Sequence, residues 1–254
     1  MMPHLVGALE RFDLNSLLGY RIYIKTKYFV SHVGGKMKME ANMKNMMMTA
    51  LATLCLILGI VAAMGSTWLV PVGDDAEELE DADSSSGAGL TSSWMTSPAP
   101  DADTCKAGLA EWEDNDQVEA ECDGKEMTLT MSFSKTCDAE EGDYEDSCDL
   151  ATAGMLGTIG MWAGILCALV LTLSLALPRF GVDAMDNLPD VAKTITMWGA
   201  GALMLVGMLG WYIMLPDTDS ETGLGMSGWL AGAAMTMGLG AAATSQFVES
   251  EGSE

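Results

Sequence analysis

Four long segments without a single charged side chain constrain this chain more than any other feature of its sequence. Each is long enough to cross a hydrocarbon core of about 30 Å as an α-helix, at a rise of about 1.5 Å per residue. The charged residues lie between these segments, which is the pattern of a polytopic membrane protein rather than of a soluble core. The predicted membrane spans are residues 46–70, 151–177, 194–215 and 224–245.

We therefore expect an all-α membrane protein: a four-helix transmembrane bundle whose large first extracellular loop, residues 71–150, is disulfide-stapled and partly β. The remaining parts are a basic cytoplasmic flank at 1–45, a cytoplasmic link at 178–193, a short outer loop at 216–223 and a cytoplasmic tail at 246–254. A cleaved signal peptide is the alternative to the first span, but the apolar run is longer than the usual apolar core of a signal peptide.

Lysine and arginine set the expected orientation. The amino-terminal flank carries seven of them, the link at 178–193 carries two, and the loop at 216–223 carries none. We therefore expect a multi-pass protein of the cell membrane with both termini in the cytoplasm. Within the flank, residues 17–33 are either a short interfacial amphipathic element or part of a disordered or wrongly annotated start.

The loop at 71–150 is strongly acidic. It holds two thirds of the chain's 36 acidic residues and only three lysines, and the formal net charge of the chain is −24. Nucleic acid is excluded as a partner, because phosphate binding needs clusters of Lys and Arg. Several pairs of aspartates are spaced two residues apart, but none continues into the pattern of a calcium-binding EF-hand. A solvated acidic surface is the simplest interpretation, and weak association with Ca²⁺ or other cations is the alternative. The pairs are Asp81 and Asp83, Asp101 and Asp103, Asp114 and Asp116, and Asp217 and Asp219.

Four of the six cysteines lie in this loop, at Cys105, Cys122, Cys137 and Cys148. Four cysteines in an exported segment predict two disulfides, with three possible connectivities that the sequence leaves open. A zinc site is the alternative, but the loop has no C-x-x-C motif, and the only two histidines lie in the amino-terminal flank.

Some of the loop is expected to be regular. Residues 127–133 alternate between apolar and polar side chains, which predicts a half-buried strand, and residues 67–72 are expected to supply a second strand. By contrast, residues 73–89 and 96–103 are acidic and rich in Ser, Gly and Pro, and we expect them to be mobile.

Small residues mark two of the spans for close helix packing. Gly160 and Gly164, and likewise Gly228 and Gly232, form G-x-x-x-G pairs that let a second helix backbone approach. The spans contain no charged side chain or histidine, which argues against proton relays, ion-coupled transport and voltage sensing. No nucleotide-binding, metalloprotease or serine-hydrolase motif is present, so we expect neither an enzyme nor a bound cofactor.

A tryptophan after the first span, a Gly-Leu pair, a further tryptophan and two cysteines follow one another in this chain. They are Trp68, Gly89, Leu90, Trp94, Cys105 and Cys122. This order, together with the expected topology, resembles claudins and peripheral-myelin-protein-like membrane proteins, which carry a similar series in a β-rich first loop. The resemblance implies a role in adhesion, in a barrier or in membrane organisation.

The expected function is therefore that of a non-enzymatic integral membrane protein whose extracellular loop mediates adhesion-like or membrane-organising interactions. Its expected partners are the lipid bilayer and either itself or another membrane or cell-surface protein. Trp94 and Trp112 are the candidate contact residues, because tryptophan is enriched at interface hot spots. Packing within the loop's own core is the alternative for both. An accessory subunit of a transporter, channel or secretion complex is the alternative function.

Overall fold

The computed structural model describes residues 37–138, 145–181, 189–216 and 222–251. The possible interfacial element at 17–33 lies outside the described residues, and so do Asp217 and Asp219.

The elements follow one another along the chain as strands and helices of very different length. The helices are α1 Ala41–Met64, α2 Asp74–Asp81, α3 Ala102–Leu109, α4 Phe133–Cys137, α5 Glu145–Ala176, α6 Asp190–Ile213 and α7 Met226–Phe247. The strands are β1 Met37–Glu40, β2 Leu69–Pro71, β3 Ser85–Ala88, β4 Ser92–Pro98, β5 Val118–Asp123, β6 Glu126–Ser132, β7 Thr222–Leu224 and β8 Val248–Glu251.

Four long helices, α1, α5, α6 and α7, lie side by side as a bundle, and each packs mainly against two of the others. The core between them is made of small and flexible apolar side chains, such as the fully buried Ala52, Met161 and Met204. Large apolar side chains such as Leu166 and Val206 point outward. This arrangement suits helices whose outer surface meets lipid, because the outward side chains are as apolar as the lipid tails.

The predicted fold class is wrong in its number of membrane spans. Within the described residues, three helices are long and apolar enough to cross a membrane: Ala41–Met64, Ser147–Ala176 and Val191–Ile213. The predicted span at 224–245 is helix α7, which is not among them. Alanine, glycine, serine and threonine fill much of α7, and such small side chains gain little free energy on leaving water. The prediction rested on the absence of charge, which does not by itself make a helix strongly apolar.

The all-α class is wrong as well, because the described chain contains a six-stranded antiparallel sheet. Its strand order is β5-β6-β4-β3-β2-β7. The expected strands at 127–133 and 67–72 correspond to β6 and β2, and the other four were not predicted. β7 comes from the connection between α6 and α7 and pairs with β2. Both connections at this end of the bundle therefore contribute to one sheet.

The two segments expected to be mobile contain regular structure instead. Residues 73–89 include α2 and β3, and residues 96–103 include the end of β4 and the start of α3. β3 reads Ser-Ser-Gly-Ala, which has little strand propensity of its own, but it is paired on both sides by β2 and β4. At the start of α3, the backbone N–H of Thr104 donates to the side chain of Asp101 at 2.7 Å, which caps the helix. This hydrogen bond holds the pKa of the Asp101 carboxyl below its ordinary value.

Trp68 joins the sheet to the bundle. Its side chain is fully buried, and its indole N–H donates to the carbonyl of Ala62 in the last turn of α1, at 2.9 Å. Its ring meets that of Trp211 edge to face, with centroids 5.1 Å apart. The backbone of Trp68 donates to Ala88 of β3 and accepts from Gly225, just before α7. The first residues beyond α1 are therefore fixed by contacts with the sheet and with two other helices.

The two ends of the described chain lie together at the other end of the bundle. β1 precedes α1, β8 follows α7, and the two strands pair in parallel. Lys44 adds to this contact, because its ammonium donates to the carbonyls of Ser245 and Val248 at 3.0 and 2.6 Å. The six-stranded sheet begins at the opposite end of α1, a helix of 24 residues.

The glycines of the two G-x-x-x-G pairs have different surroundings. Gly160 lies against the backbone of Gly207 on α6, so close that a Cβ has no room, and Gly164 also lies against α6. In α7, Gly228 lies against the leucine side chain of β7. Gly232 faces open space, with no described atom within 4 Å of the place where a Cβ would be.

Replacing Gly160 by alanine is expected to destabilise the protein by about 1–3 kcal/mol, because the added methyl group meets the α6 backbone and forces the helices apart. Gly232→Ala is the control, since its methyl group enters open space and alanine is the better helix former by up to about 1 kcal/mol. Thermal unfolding of the two variants in one detergent measures the difference. Equal stability of both would contradict the close contact between α5 and α6.

Candidate functional site

The six-stranded sheet has one apolar and one polar face. In antiparallel pairs, residues directly opposite each other point to the same side, and successive residues alternate between sides. One set is apolar and includes Leu69, Ala88, Met95, Val118, Leu129, Met131 and Leu224. The opposite set is rich in threonine and glutamate and includes Thr96, Thr128, Thr130, Glu119 and Glu121, but it also holds Trp94, which pairs with Thr130.

A cavity of about 790 Å³ lies along the apolar face, between the sheet and the ends of the bundle helices. This volume falls in the range of roughly 300–1,000 Å³ that is usual for ligand sites. Strands β2, β3, β4 and β6 form one wall, and α2 lies beside it. The apolar side chains that line it include Leu69, Val118, Leu129, Met131, Phe133, Leu150 and Leu215.

The cavity borders two of the helices that are long and apolar enough to cross a membrane. Leu150 lies near the start of the apolar helix Ser147–Ala176, and Leu215 lies just beyond the end of Val191–Ile213. Two of the three candidate membrane helices therefore end at the cavity.

Two disulfides hold the elements around the cavity, which confirms the prediction of two bridges. Cys105–Cys122 joins α3 to β5, with Cα atoms 6.0 Å apart, and Cys137–Cys148 joins α4 to the start of α5, with Cα atoms 4.7 Å apart. The connectivity that the sequence left open is thus the sequential one. The second bridge fixes α4, whose buried Phe133 lines the cavity, to the helix that carries Leu150.

The structure brings both candidate contact tryptophans to this cavity, but in different situations. Trp94 belongs to β4, where its ring lies against Gly87 and its indole N–H donates to the carbonyl of Ser66 at 3.0 Å. Trp112 follows α3 and is half-buried at the cavity. Trp94 therefore holds the sheet against the segment after α1. Trp112 is the more suitable of the two as a contact for a bound group.

Acidic side chains stand beside the apolar lining. Asp75 and Glu78 of α2 border the cavity, and Glu78 is exposed. No Lys, Arg or His is found among the described residues that line it. Lys135 lies elsewhere, in an exposed ion pair with Glu119 at 3.3 Å. The electrostatic potential at the cavity therefore favours cations.

The three aspartate pairs within the described residues do not assemble into a metal centre. In the part of the chain that the structure describes, no three His, Cys, Asp or Glu side chains are placed to hold a metal ion. Two aspartates of these pairs have local structural roles instead. Asp101 caps α3, and Asp83 lies in the turn after α2 with a positive φ of 49°.

Sequence reasoning missed most of the cavity wall. In β5, Val118, Ala120 and Cys122 alternate with acidic residues, which is the period of a strand. This alternation is the one signal in the sequence that could have revealed β5. Leu150 and Leu215 belong to segments that are far apart in the sequence and meet only through the fold. No pattern along the chain relates them.

The comparisons with known proteins add no family. No protein-family model matches the chain, and no curated protein matches it in sequence.

Replacing Cys105 and Cys122 together by alanine is expected to weaken the strand-rich part of the protein by about 3 kcal/mol, the usual value for a closed loop of roughly 15 residues. Limited proteolysis should then cleave between α3 and β6 at lower urea concentrations than in the parent protein. Cys167→Ala, which removes a cysteine outside both disulfides, is the control. Unchanged protease resistance of the double variant would show that this bridge does not hold α3 in place.

Proposed function

We propose that this chain is a non-enzymatic membrane protein whose strand-rich region binds another membrane component in adhesion-like or membrane-organising interactions. The strand-rich region comprises residues 69–138 and β7. The proposed partner is a second copy or another membrane or cell-surface protein. The preformed apolar cavity supports this proposal most directly, because binding sites are usually preformed apolar cavities of about this volume.

The construction of the region supports the same proposal. Two disulfides and the buried Trp68 hold the cavity walls in place before any partner arrives. A preorganised site loses less conformational entropy on binding than a flexible loop does. Met95 and Met131, which are 48% and 42% exposed at the cavity, add adaptable apolar contacts.

The likeness to claudins points to the same class of function. Trp68 and Leu90 belong to one buried cluster between sheet and bundle, and Cys105 and Cys122 form a disulfide. In that family, the corresponding tryptophan, leucine and disulfide belong to a β-rich loop, and the family works in adhesion, barriers and membrane organisation. From this likeness we take only the general class of function for the proposal, and no individual residue role.

The proposed orientation places the strand-rich region outside the cell and both ends of the described chain in the cytoplasm. Disulfides form in oxidising compartments, which favours the outer side for the region that contains both bridges. β1 and β8 pair at the other end of the bundle, next to Lys44 of the basic flank. Lysine and arginine favour the cytoplasmic side.

An accessory subunit of a transporter, channel or secretion complex is the second candidate. The outward face of α7 favours it, because Gly232 faces open space beside Trp229, whose side chain is 68% exposed. A helix from another subunit can approach closely at such a small residue and pack against the neighbouring large one.

A photoreactive amino acid at position 131, in the full chain and in native membranes, tests the first proposal. We expect it to crosslink a second copy or another membrane protein, whereas the same group at position 121, exposed on the polar face, should capture little. Equal capture at both positions, or none at 131, would contradict the proposed use of the cavity. Capture of one stoichiometric protein from position 229 alone would favour the accessory subunit.

Trp112→Ala is expected to reduce the crosslinking from position 131 by about thirtyfold, since a tryptophan at an interface hot spot contributes about 2 kcal/mol or more. Its unfolding temperature should change little. Trp94→Ala should instead lower the unfolding temperature, because it removes the hydrogen bond to Ser66. If Trp112→Ala binds normally, or unfolds like Trp94→Ala, then Trp112 is not a contact residue.

A further inference from the structure

The cavity along the apolar face of the sheet combines two properties that rarely fit the same ligand. Its walls are aliphatic and aromatic, with Leu129, Phe133 and Leu150 among them. Its border carries the carboxylates of Asp75 and Glu78, and no basic side chain is found among its described lining residues. A purely apolar group satisfies only the walls, and a hydrated cation satisfies only the border. A group that is apolar at one end and cationic beside it satisfies both.

The charge around the cavity extends this preference. Two thirds of the chain's 36 acidic residues lie in residues 71–150, which hold only three lysines. Lys135 is already paired with Glu119. Charges within about 8–10 Å act on an approaching ligand at physiological ionic strength, so this surface attracts cations and repels anions.

This electrostatic preference distinguishes between a lipid and a protein segment, the two kinds of apolar ligand that are available next to a membrane. Phospholipid headgroups, whether anionic or zwitterionic, carry a phosphate next to their tails, so a phospholipid tail that entered the cavity would bring a negative group to the carboxylates of α2. A protein segment can carry lysine or arginine instead, and it can place them directly beside large apolar side chains.

We propose that the cavity binds a short segment of a partner protein in which large apolar side chains are flanked by Lys or Arg. The proposal rests on the cavity being the binding site of the proposed function, and it names the chemistry of the partner. The apolar side chains fill the space between β4, β6 and the start of α5. The basic side chains lie at α2, next to the exposed Glu78.

Three fluorescent tetrapeptides test this chemistry on the full chain in phosphatidylcholine nanodiscs. The first has a phenylalanine–leucine pair between two lysines, the second has the same pair between two glutamates, and the third has two serines between two lysines. We expect fluorescence anisotropy to show binding of the first peptide, at least about tenfold weaker binding of the second, and none of the third. Empty nanodiscs measure partition into lipid. Similar binding of the first two peptides would overturn the proposal.

Two pairs of variants locate the binding. Ser93→Phe fills the cavity from β4 and should abolish binding, whereas Thr96→Phe places the same ring on the polar face of the same strand and should not.

Glu78→Gln should weaken binding about two- to fivefold, the value expected for an exposed ion pair, and should reduce its salt dependence. Glu77→Gln, on the same helix but away from the cavity, should leave binding unchanged. If Ser93→Phe does not fold, the comparison of Glu78→Gln with Glu77→Gln still tests the location of binding. Equal binding by these two variants would overturn the assignment to the cavity.

A competition experiment separates a peptide from a lipid. A zwitterionic single-chain phospholipid should not displace the first peptide. If it does, the cavity is a lipid site and the proposal is wrong. If no peptide binds but position 131 still crosslinks a protein, the proposed chemistry is wrong while the proposed function stands. If both experiments fail, the cavity is not a binding site.

Discussion

The burial of Trp68 is the interaction on which the rest of the structure depends. A buried indole needs an acceptor for its N–H, because an unsatisfied polar group in an apolar core is costly. The last turn of a helix has carbonyls without partners in the helix itself. The carbonyl of Ala62, at the end of α1, supplies that acceptor. The same carbonyl also accepts from the backbone N–H of Gly65. The contact buries a large ring against Trp211 and fixes the direction in which the chain leaves the helix.

The contact between Trp68 and the end of α1 also determines the position of the sheet. β2 begins directly after Trp68, and it pairs with β3 on one side and with β7 on the other. Because β7 leads into α7, the sheet is attached to the bundle through two separate connections. An attachment at one point would leave the sheet free to rotate, and ordering it on binding would cost conformational entropy. The double attachment instead holds the apolar face of the sheet over the ends of α5 and α6, and the space between them is the cavity.

Local patterns predicted those parts of the fold that leave a signal in the sequence itself. The alternation at 127–133 revealed β6, and four cysteines in an acidic segment revealed two disulfides. β3 was missed because Ser-Ser-Gly-Ala becomes a strand only through its two neighbours.

Other errors concerned the hydropathy of α7 and the surroundings of the two tryptophans, which charge pattern and residue type do not give. Helix α7 lacks charge, yet its small side chains leave it less apolar than the three candidate spans. The two candidate tryptophans could be named from their residue type, but their roles could not be separated. Only the fold shows that Trp94 is held by Ser66 and that Trp112 borders a cavity.

The acidic surface and the apolar cavity depend on each other. An uncovered apolar cavity favours nonspecific association, and so does the edge of a sheet with its unpaired backbone groups. β5 is an edge strand, and its acidic residues Glu119 and Glu121 repel the same edge of a second copy. The carboxylates of α2 oppose association at the cavity in the same way, unless the incoming segment carries the opposite charge. In the proposed interaction, the same charge that opposes nonspecific association also selects the partner.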